Sequence, residues 1–112
     1  MSYNQMTLDI MTTIRKIPPG YVSSYGAIAN VSGYANGARQ VVRILSVLSE
    51  KEKLPWHRVV NKHGEIVLKD TGEYEQIFLL ELEGVTFIKE GVVSPKHFYN
   101  FESGNKMTEI KR

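Results

Sequence analysis

The 112-residue chain contains no cysteine. This absence excludes disulfides, thiolate metal sites and thiol nucleophiles together. A large excess of one charge is also missing, because the 14 Lys and Arg residues are nearly balanced by 12 Asp and Glu residues. A nucleic-acid surface would therefore have to come from local clustering of basic residues. No apolar run approaches the ~18 residues of a membrane span, and the N-terminus lacks a signal-peptide pattern. We therefore expect a cytoplasmic protein that does not associate with membranes.

The length and the 42% hydrophobic content fit a single core. We expect residues 1–102 to form one domain and residues 103–112, which have no periodic apolar pattern, to be a disordered tail. No partner-like amphipathic surface is evident, which favours a monomer. His63 and His97 lie far from carboxylate clusters in the sequence, and no phosphate-loop glycine pattern occurs. Neither a metal nor another cofactor is expected.

The first half of the chain has helical periodicity. Apolar residues at helical spacing predict a first helix that ends before Pro18-Pro19-Gly20. These residues are Met6, Ile10, Ile14 and Ile17. Ser24 is a suitable N-cap for a short second helix over residues 27–31, which Gly33 would end.

A longer third helix is predicted to begin near Asn36-Gly37. Its buried stripe is expected to be Ala38, Val41, Leu45 and Leu48. Arg39, Gln40 and Arg43 fall off that stripe, toward solvent. Two helices joined by a short turn, with arginines near the start of the second, are typical of helix-turn-helix DNA readers. A three-helix scaffold with solvated arginines fits the same pattern.

The second half is predicted to alternate loops, hairpins and one helix. Residues 49–53 are charged and are expected to form a solvated loop. Residues 59–60 and 66–68 should pair as a hairpin, with Gly64 at a positive φ. A polar loop over residues 69–72 would precede a helix that ends at Glu83-Gly84. That helix carries Tyr74, Phe78 and Leu82 on one face. Residues 85–88 and 91–93 resemble a small terminal hairpin.

The chain's only tryptophan lies beside a histidine and an arginine, in the segment Pro55-Trp56-His57-Arg58-Val59-Val60. Because proline fixes φ and removes a donor, Trp56 should lie at an element boundary rather than within a helix. On local grounds Trp56 could be a core aromatic and His57 a buried imidazole. A hydrolase with His57 as its base is disfavoured, since no adjacent nucleophile or metal set is visible.

Four motifs resemble, in the same order, the DNA-binding domain of O6-alkylguanine-DNA alkyltransferases. They are Ile17-Pro18-Pro19-Gly20-Tyr21-Val22-Ser23-Ser24-Tyr25-Gly26, Ala38-Arg39-Gln40-Val41, Pro55-Trp56-His57-Arg58-Val59-Val60 and Glu83-Gly84. Those repair proteins have Pro-Cys-His-Arg-Val and take the alkyl group on the cysteine thiolate, whereas this chain has Trp56. The substitution resembles the alkyltransferase-like proteins, which do not repair. An indole has no lone pair comparable to that of a thiolate, so the transfer reaction is not available to it.

The resemblance implies an α/β fold, mainly helical, with a winged-helix-like DNA-binding unit, a helix-turn-helix and small β-hairpins. It implies a protein that is not an enzyme. Such a protein binds double-stranded DNA containing O6-alkylguanine, flips the lesion into a pocket without alkyl transfer, and flags it for nucleotide excision repair proteins. The alternative is a sequence-specific helix-turn-helix regulator that uses residues 35–48 as a major-groove helix.

The family pattern also implies roles on the DNA side. Tyr25 matches the tyrosine that crowds the 3′ phosphate of the target nucleotide and helps to rotate it out. Arg39 matches the arginine finger that enters the duplex through the minor groove and fills the vacated stack. Ala38 and Arg43 are expected to contact DNA beside it.

The lesion pocket is expected to be lined by Tyr25, Trp56, Val59 and Lys69. Lys69 lies in the loop bordering the pocket, where a cation over a purine face could tune discrimination. His57 and Glu83 match the proton relay of the repair enzymes. With no thiol to serve, we expect both to be structural, and Arg58 to pack or pair beneath the pocket.

Overall fold

The computed structural model describes residues 2–102, which form four α-helices and two small sheets. The helices are α1 Gln5–Arg15, α2 Tyr25–Val31, α3 Ala38–Glu52 and α4 Asp70–Leu82. The strands are β1 Ser23–Ser24, β2 Val59–Val60, β3 Phe87–Lys89 and β4 Val92–Val93, with 3₁₀ turns at Trp56–Arg58 and Pro95–His97. The predicted mainly helical fold with small sheets is confirmed. The predicted tail, residues 103–112, lies outside the described residues.

The predicted first helix and its buried side are confirmed. The Asn4 side chain caps α1 by accepting a hydrogen bond from the Thr7 N–H. Ile10, Ile14 and Ile17 are fully buried, the last just beyond the end of the helix. Among residues 2–102, none of the helices combines the length and apolar character that a membrane span requires.

The predicted pair of helices that follows is also confirmed. Ser24 caps α2 by accepting from the Ala27 N–H at 3.1 Å, and Gly33 follows the helix with a φ of 98°. α3 begins after Gly37, where a Cβ would lie 3.0 Å from the Tyr34 carbonyl oxygen. Of the predicted stripe, Val41 is fully buried and Leu45 and Leu48 are partly buried, whereas the other buried residue of α3 is Ile44, which was not predicted.

The prediction of a loop over residues 49–53 is wrong, because α3 continues through Glu52. No helix breaker precedes Pro55, and charged residues are good helix formers. The Glu52 carboxylate accepts from the Tyr3 hydroxyl at 2.7 Å, and the Glu52 carbonyl accepts from Arg15 at 2.9 Å. Lys53 ends the helix in the left-handed region, at a φ of 52°. Contacts distant in sequence therefore hold the last turn of α3 in place.

The predicted hairpin of residues 59–60 with 66–68 is also wrong. β2 pairs in parallel with β1, Val60 opposite Ser24, whereas Glu65 bridges to Val92. A turn does occur between the two segments, and Gly64 has the predicted positive φ, 81°. A Cβ there would lie 2.9 Å from the Val93 carbonyl oxygen. Both residues of β2 are buried, so this strand needs cover on two sides, which a local hairpin would not supply.

The predicted loop over residues 69–72 is mostly helix, because α4 begins at Asp70. The face of Tyr74, Phe78 and Leu82 exists as predicted but lies outward, with exposures of 73%, 59% and 68%. The buried residues of α4 are Gln76 and Leu80. After α4, β3 and β4 form the predicted terminal hairpin.

Two apolar clusters meet at β2. The first lies among α1, α2 and α3 and includes Val59, and the second lies beneath α4 and the β3–β4 hairpin and includes Val60. Consecutive residues of one short strand therefore anchor in different clusters. This arrangement fixes the 3₁₀ turn that precedes β2, which carries Trp56.

Candidate nucleic-acid interface

Trp56 lies at the start of a single 3₁₀ turn, as predicted for an element boundary. The backbone N–H of Trp56 donates to the Leu54 carbonyl at 2.8 Å, and the backbone N–H of Arg58 donates to the Pro55 carbonyl at 3.0 Å. The indole is only partly buried and meets the His57 ring edge-on, with the centroids 6.1 Å apart. Trp56 is therefore not an ordinary core aromatic.

A cavity of about 1270 Å³ opens beside this turn, between the C-terminal half of α3 and the inner side of α4. Three of the predicted pocket residues, Tyr25, Trp56 and Val59, line it. Lys69 does not; it is exposed at the start of α4, and the cavity is lined by its neighbour Leu68. The role of Lys69 toward a base stays a prediction. The cavity has room for a nucleobase and an added substituent.

The other side of the turn is held by a network around Glu83, at the end of α4. Arg58 donates to both Glu83 oxygens, at 3.0 Å from Nε and 2.7 Å from Nη2. Arg58 Nη1 also donates to the Ile17 carbonyl at 2.9 Å. The Gly20 N–H donates to Glu83 Oε1 at 3.3 Å. The expected pairing of Arg58 is thus present, and it ties α4 to the loop before β1.

His57 completes this network, with Nε2 2.8 Å from Glu83 Oε2. Because an ionised carboxylate only accepts, Nε2 carries the proton. Partial burial alone would raise the pKa of Glu83, but hydrogen bonds from Arg58, His57 and the Gly20 N–H outweigh it and lower the pKa from 4.5 to about 2. His57 and Glu83 are therefore in direct contact, and their structural role stays a prediction.

The residues expected to contact DNA lie on α2 and α3. Tyr25 is the first residue of α2, and burial raises the pKa of its hydroxyl. Ala38, partly buried, begins α3, and Arg39 and Arg43 are exposed farther along it. Within residues 2–102, neither arginine makes a hydrogen bond or an ion pair. Both guanidinium groups are free to meet phosphate or base.

Sequence reasoning missed part of the cavity wall. Glu50 and Glu75 line it, whereas Asp70 and Thr71, which follow Lys69, are exposed and do not. Gln76 also lines it and is 2% exposed. A signal was available, since Gln76 is polar yet shares a helix face with Leu80, four residues later. In the part of the chain that is described, no group of three or more His, Asp or Glu could hold a metal ion.

Comparison with known proteins gives a consistent result. The family model described as 6-O-methylguanine DNA methyltransferase, DNA binding domain, matches residues 5–85. A protein named DNA base-flipping protein from Vibrio parahaemolyticus is 39% identical over 95 residues, which are 85% of this chain and 95% of that protein. Alkyltransferase-like protein 1 of Schizosaccharomyces pombe is 38% identical over 87 residues, covering 76% and 81%.

The fold agrees with these sequence matches. The crystal structure of the Schizosaccharomyces pombe alkyltransferase-like protein, in complex with damaged DNA containing O6-carboxymethylguanine, has a TM-score of 0.75 to this chain at 33% identity. The match covers 89% of this chain and 99% of that one. This chain therefore belongs to the family of the 6-O-methylguanine DNA methyltransferase DNA-binding domain and, within it, to the alkyltransferase-like proteins.

Proposed function

We propose that this protein binds double-stranded DNA containing O6-alkylguanine and holds the everted lesion in the Trp56 cavity, without alkyl transfer. The observation that carries the proposal is the position of Trp56, partly buried on the wall of a cavity of about 1270 Å³ that Tyr25 of the helix-turn-helix also lines. An indole offers a flat face to a purine and its apolar substituent. Relatives named for base flipping, and one solved with damaged DNA, support the proposal.

Eversion needs groups that offset its cost. Taking a nucleotide out of a duplex costs a few kcal/mol of stacking and pairing. Arg39, exposed and without a protein partner among the described residues, is placed to insert and restore stacking and hydrogen bonding to the orphaned base. Tyr25 is the first residue of α2 and also lines the cavity, so it can crowd the backbone of the rotating nucleotide.

The absence of alkyl transfer follows from the chemistry of the chain. Transfer from guanine O6 needs a strong nucleophile, and the sequence has no cysteine. Trp56 cannot substitute, because its indole N–H only donates. In the proposed function His57 and Glu83 stabilise the turn that presents Trp56, instead of relaying a proton.

A bound lesion that stays alkylated needs a second activity to remove it. We therefore propose that nucleotide excision repair proteins recognise the complex of this protein with DNA, since a protein that holds the lesion without accepting its alkyl group marks the damage for others. We also propose that the protein acts as a monomer.

The test compares one duplex carrying O6-methylguanine with the same duplex unmodified, by gel shift and by the fluorescence of Trp56. We expect tighter binding of the alkylated duplex, together with a quench or shift of the emission. A sequence-specific regulator, which would use the same exposed face of α3, should instead discriminate among unmodified duplexes and ignore the lesion. Saturating binding with unchanged emission would contradict the placement of the base against Trp56.

A further inference from the structure

Gln76 is the buried polar side chain of α4, with 2% of its surface exposed. Its Nε2 donates two hydrogen bonds, each 3.0 Å long, to the carbonyl oxygens of His57 and Val59. These two bonds use both amide hydrogens. They also settle which end of the amide is nitrogen, because an oxygen facing two carbonyl oxygens would be repelled. The side-chain oxygen Oε1 must therefore point away from the backbone of the turn.

Nothing in residues 2–102 donates a hydrogen bond to Oε1. Oε1 also keeps some contact with solvent. If it were fully buried it would be a buried polar atom without a partner, and among the described residues the side-chain atom of that kind is Ser49 Oγ. Gln76 lines the same cavity as Trp56 and Tyr25. Gln76 therefore carries an acceptor without a protein partner among the described residues, on a side chain of the wall of the proposed lesion pocket.

The chemistry of the lesion matches that acceptor. Alkylation at O6 fixes the base in a form without the N1 proton, so N1, N3 and N7 are all acceptors. The exocyclic 2-amino group is then the donor that remains on the ring. A pocket that binds this base without an acceptor would leave the amino group unsatisfied, at a cost in affinity.

We infer that Gln76 is a specificity-determining residue of this pocket, whose Oε1 accepts a hydrogen bond from the 2-amino group of the everted purine. Its amide nitrogen holds the backbone of the Trp56 turn, so one side chain sets both the position of the indole and that of the acceptor. The inference rests on the proposed function and adds to it a requirement for the 2-aminopurine ring, independent of the alkyl group.

The test uses two duplexes that differ only by the 2-amino group, one with O6-methylguanine and one with 6-methoxypurine at the same position. The wild-type protein should bind the first about five- to tenfold more tightly, as expected for one uncharged hydrogen bond. Gln76→Met should bring the ratio of the two affinities close to one. The ratio is informative even if the variant weakens all binding, because losses that the two duplexes share cancel in it.

The matched control is Gln5→Met, the same chemical change at an exposed residue of α1, which should leave the ratio unchanged. If Gln76→Met does not fold, ¹³C NMR of the wild-type glutamine side-chain carbonyls replaces it. Among Gln5, Gln40 and Gln76, the last should shift on adding the O6-methylguanine duplex and not on adding the 6-methoxypurine duplex.

Two failures are distinguishable. If wild-type protein prefers both lesion duplexes over the unmodified one but binds them equally, or if Gln76→Met keeps the wild-type ratio, the role of Gln76 is overturned and the proposed function stands. If neither lesion duplex is preferred over the unmodified one, the proposed function fails, and this inference fails with it.

Discussion

The helices α3 and α4 border the same cavity but sort their side chains in opposite ways. α3, with 15 residues, buries Val41 and exposes Arg39, as an amphipathic helix does. α4, with 13 residues, leaves Phe78 59% exposed and buries Gln76. In α3 the groups proposed to meet DNA lie on the outside. In α4 the groups proposed to shape the site lie on the inside.

The difference comes from what each helix covers. α3 packs on the apolar cluster it shares with α1 and α2. Part of α4 instead covers the Trp56 turn and the first residue of β2, where the carbonyls of His57 and Val59 need donors, which Gln76 supplies. Apolar periodicity indicates the buried face of a helix when the surface beneath is apolar. Where backbone carbonyls lie beneath the helix, a buried polar residue is to be expected.

The sharpest test of this difference between the buried and exposed faces of α4 is a pair of truncations on that helix. Leu80→Ala removes a fully buried side chain and should lower the free energy of unfolding by about 2–5 kcal/mol. Phe78→Ala removes a larger side chain that is 59% exposed and should change it by no more than about 0.5 kcal/mol. Urea unfolding of both variants at equal m-values measures the difference. Equal losses would mean that the face of Phe78 is covered in solution.

The next largest effect concerns the pH dependence of stability. The pKa of Glu83 is lowered from 4.5 to about 2, so the stability it contributes is complete above 4.5 and is lost as the pH falls toward 2. At about 1.4 kcal/mol per pH unit, the contribution is about 3 kcal/mol. Glu83→Gln should remove most of this pH dependence, as measured by urea unfolding between pH 2 and 6.

Glu81→Gln is the matched control, since Glu81 is exposed on the same helix. It should leave the acid-induced loss of stability nearly unchanged. An identical loss in both variants would mean that the contacts of Glu83 with Arg58, His57 and Gly20 are not the source.

The comparison also explains how far sequence reasoning reached. α1 to α3 were predictable because each has one apolar side, and caps such as Asn4 and Ser24 act within a few residues. The end of α3 was not, because it is held by Tyr3 and Arg15, both far away in sequence. The parallel pairing of β1 with β2 joins segments more than thirty residues apart, so a local hairpin rule could not have found it.

The candidate site divides in the same way. Trp56, His57 and Glu83 were identified from motifs, and the structure brings them together around one turn. Gln76 belongs to none of the four family motifs, and its partners are backbone carbonyls, which a sequence does not display. The position of its loop in the family predicts Lys69 at the pocket, but the helix beginning at Asp70 leaves it off the cavity wall.

On α3, two exposed arginines should be distinguishable by binding. Arg39→Ala should weaken binding of an O6-methylguanine duplex by about 1–3 kcal/mol, because it removes the group proposed to fill the vacated stack. Arg43→Ala, if it meets phosphate, should cost less and mainly flatten the salt dependence. Fluorescence titrations at several salt concentrations give both quantities. Equal, equally salt-sensitive losses would refute the assignment of Arg39 as the inserting residue.

The smallest expected effect is on alkyl transfer by Trp56→Cys. His57 and Glu83 are in place, 2.8 Å apart, to accept the proton of a new thiol. That geometry alone predicts recovery of the repair reaction. The segment from residue 48 to residue 54, however, lacks the turn-forming asparagine-proline of the repair enzymes, and most of it belongs to α3.

The width of the cavity opposes recovery, and we expect little transfer. Glu50 and Glu75 line the cavity and Asp70 does not, but Arg15, Lys53 and Arg58 line it as well, so the charges of the wall do not by themselves disfavour a thiolate. Replacing the indole by a small thiol widens a cavity of about 1270 Å³, and misplacing the reacting carbon by ~1 Å can cost about a hundredfold in rate. The measurement is transfer of labelled methyl from a duplex to Trp56→Cys over minutes, with wild-type protein as the control. Rapid stoichiometric transfer would show that the walls formed by α3 and α4 retain repair geometry, and that Trp56 alone separates lesion binding from repair.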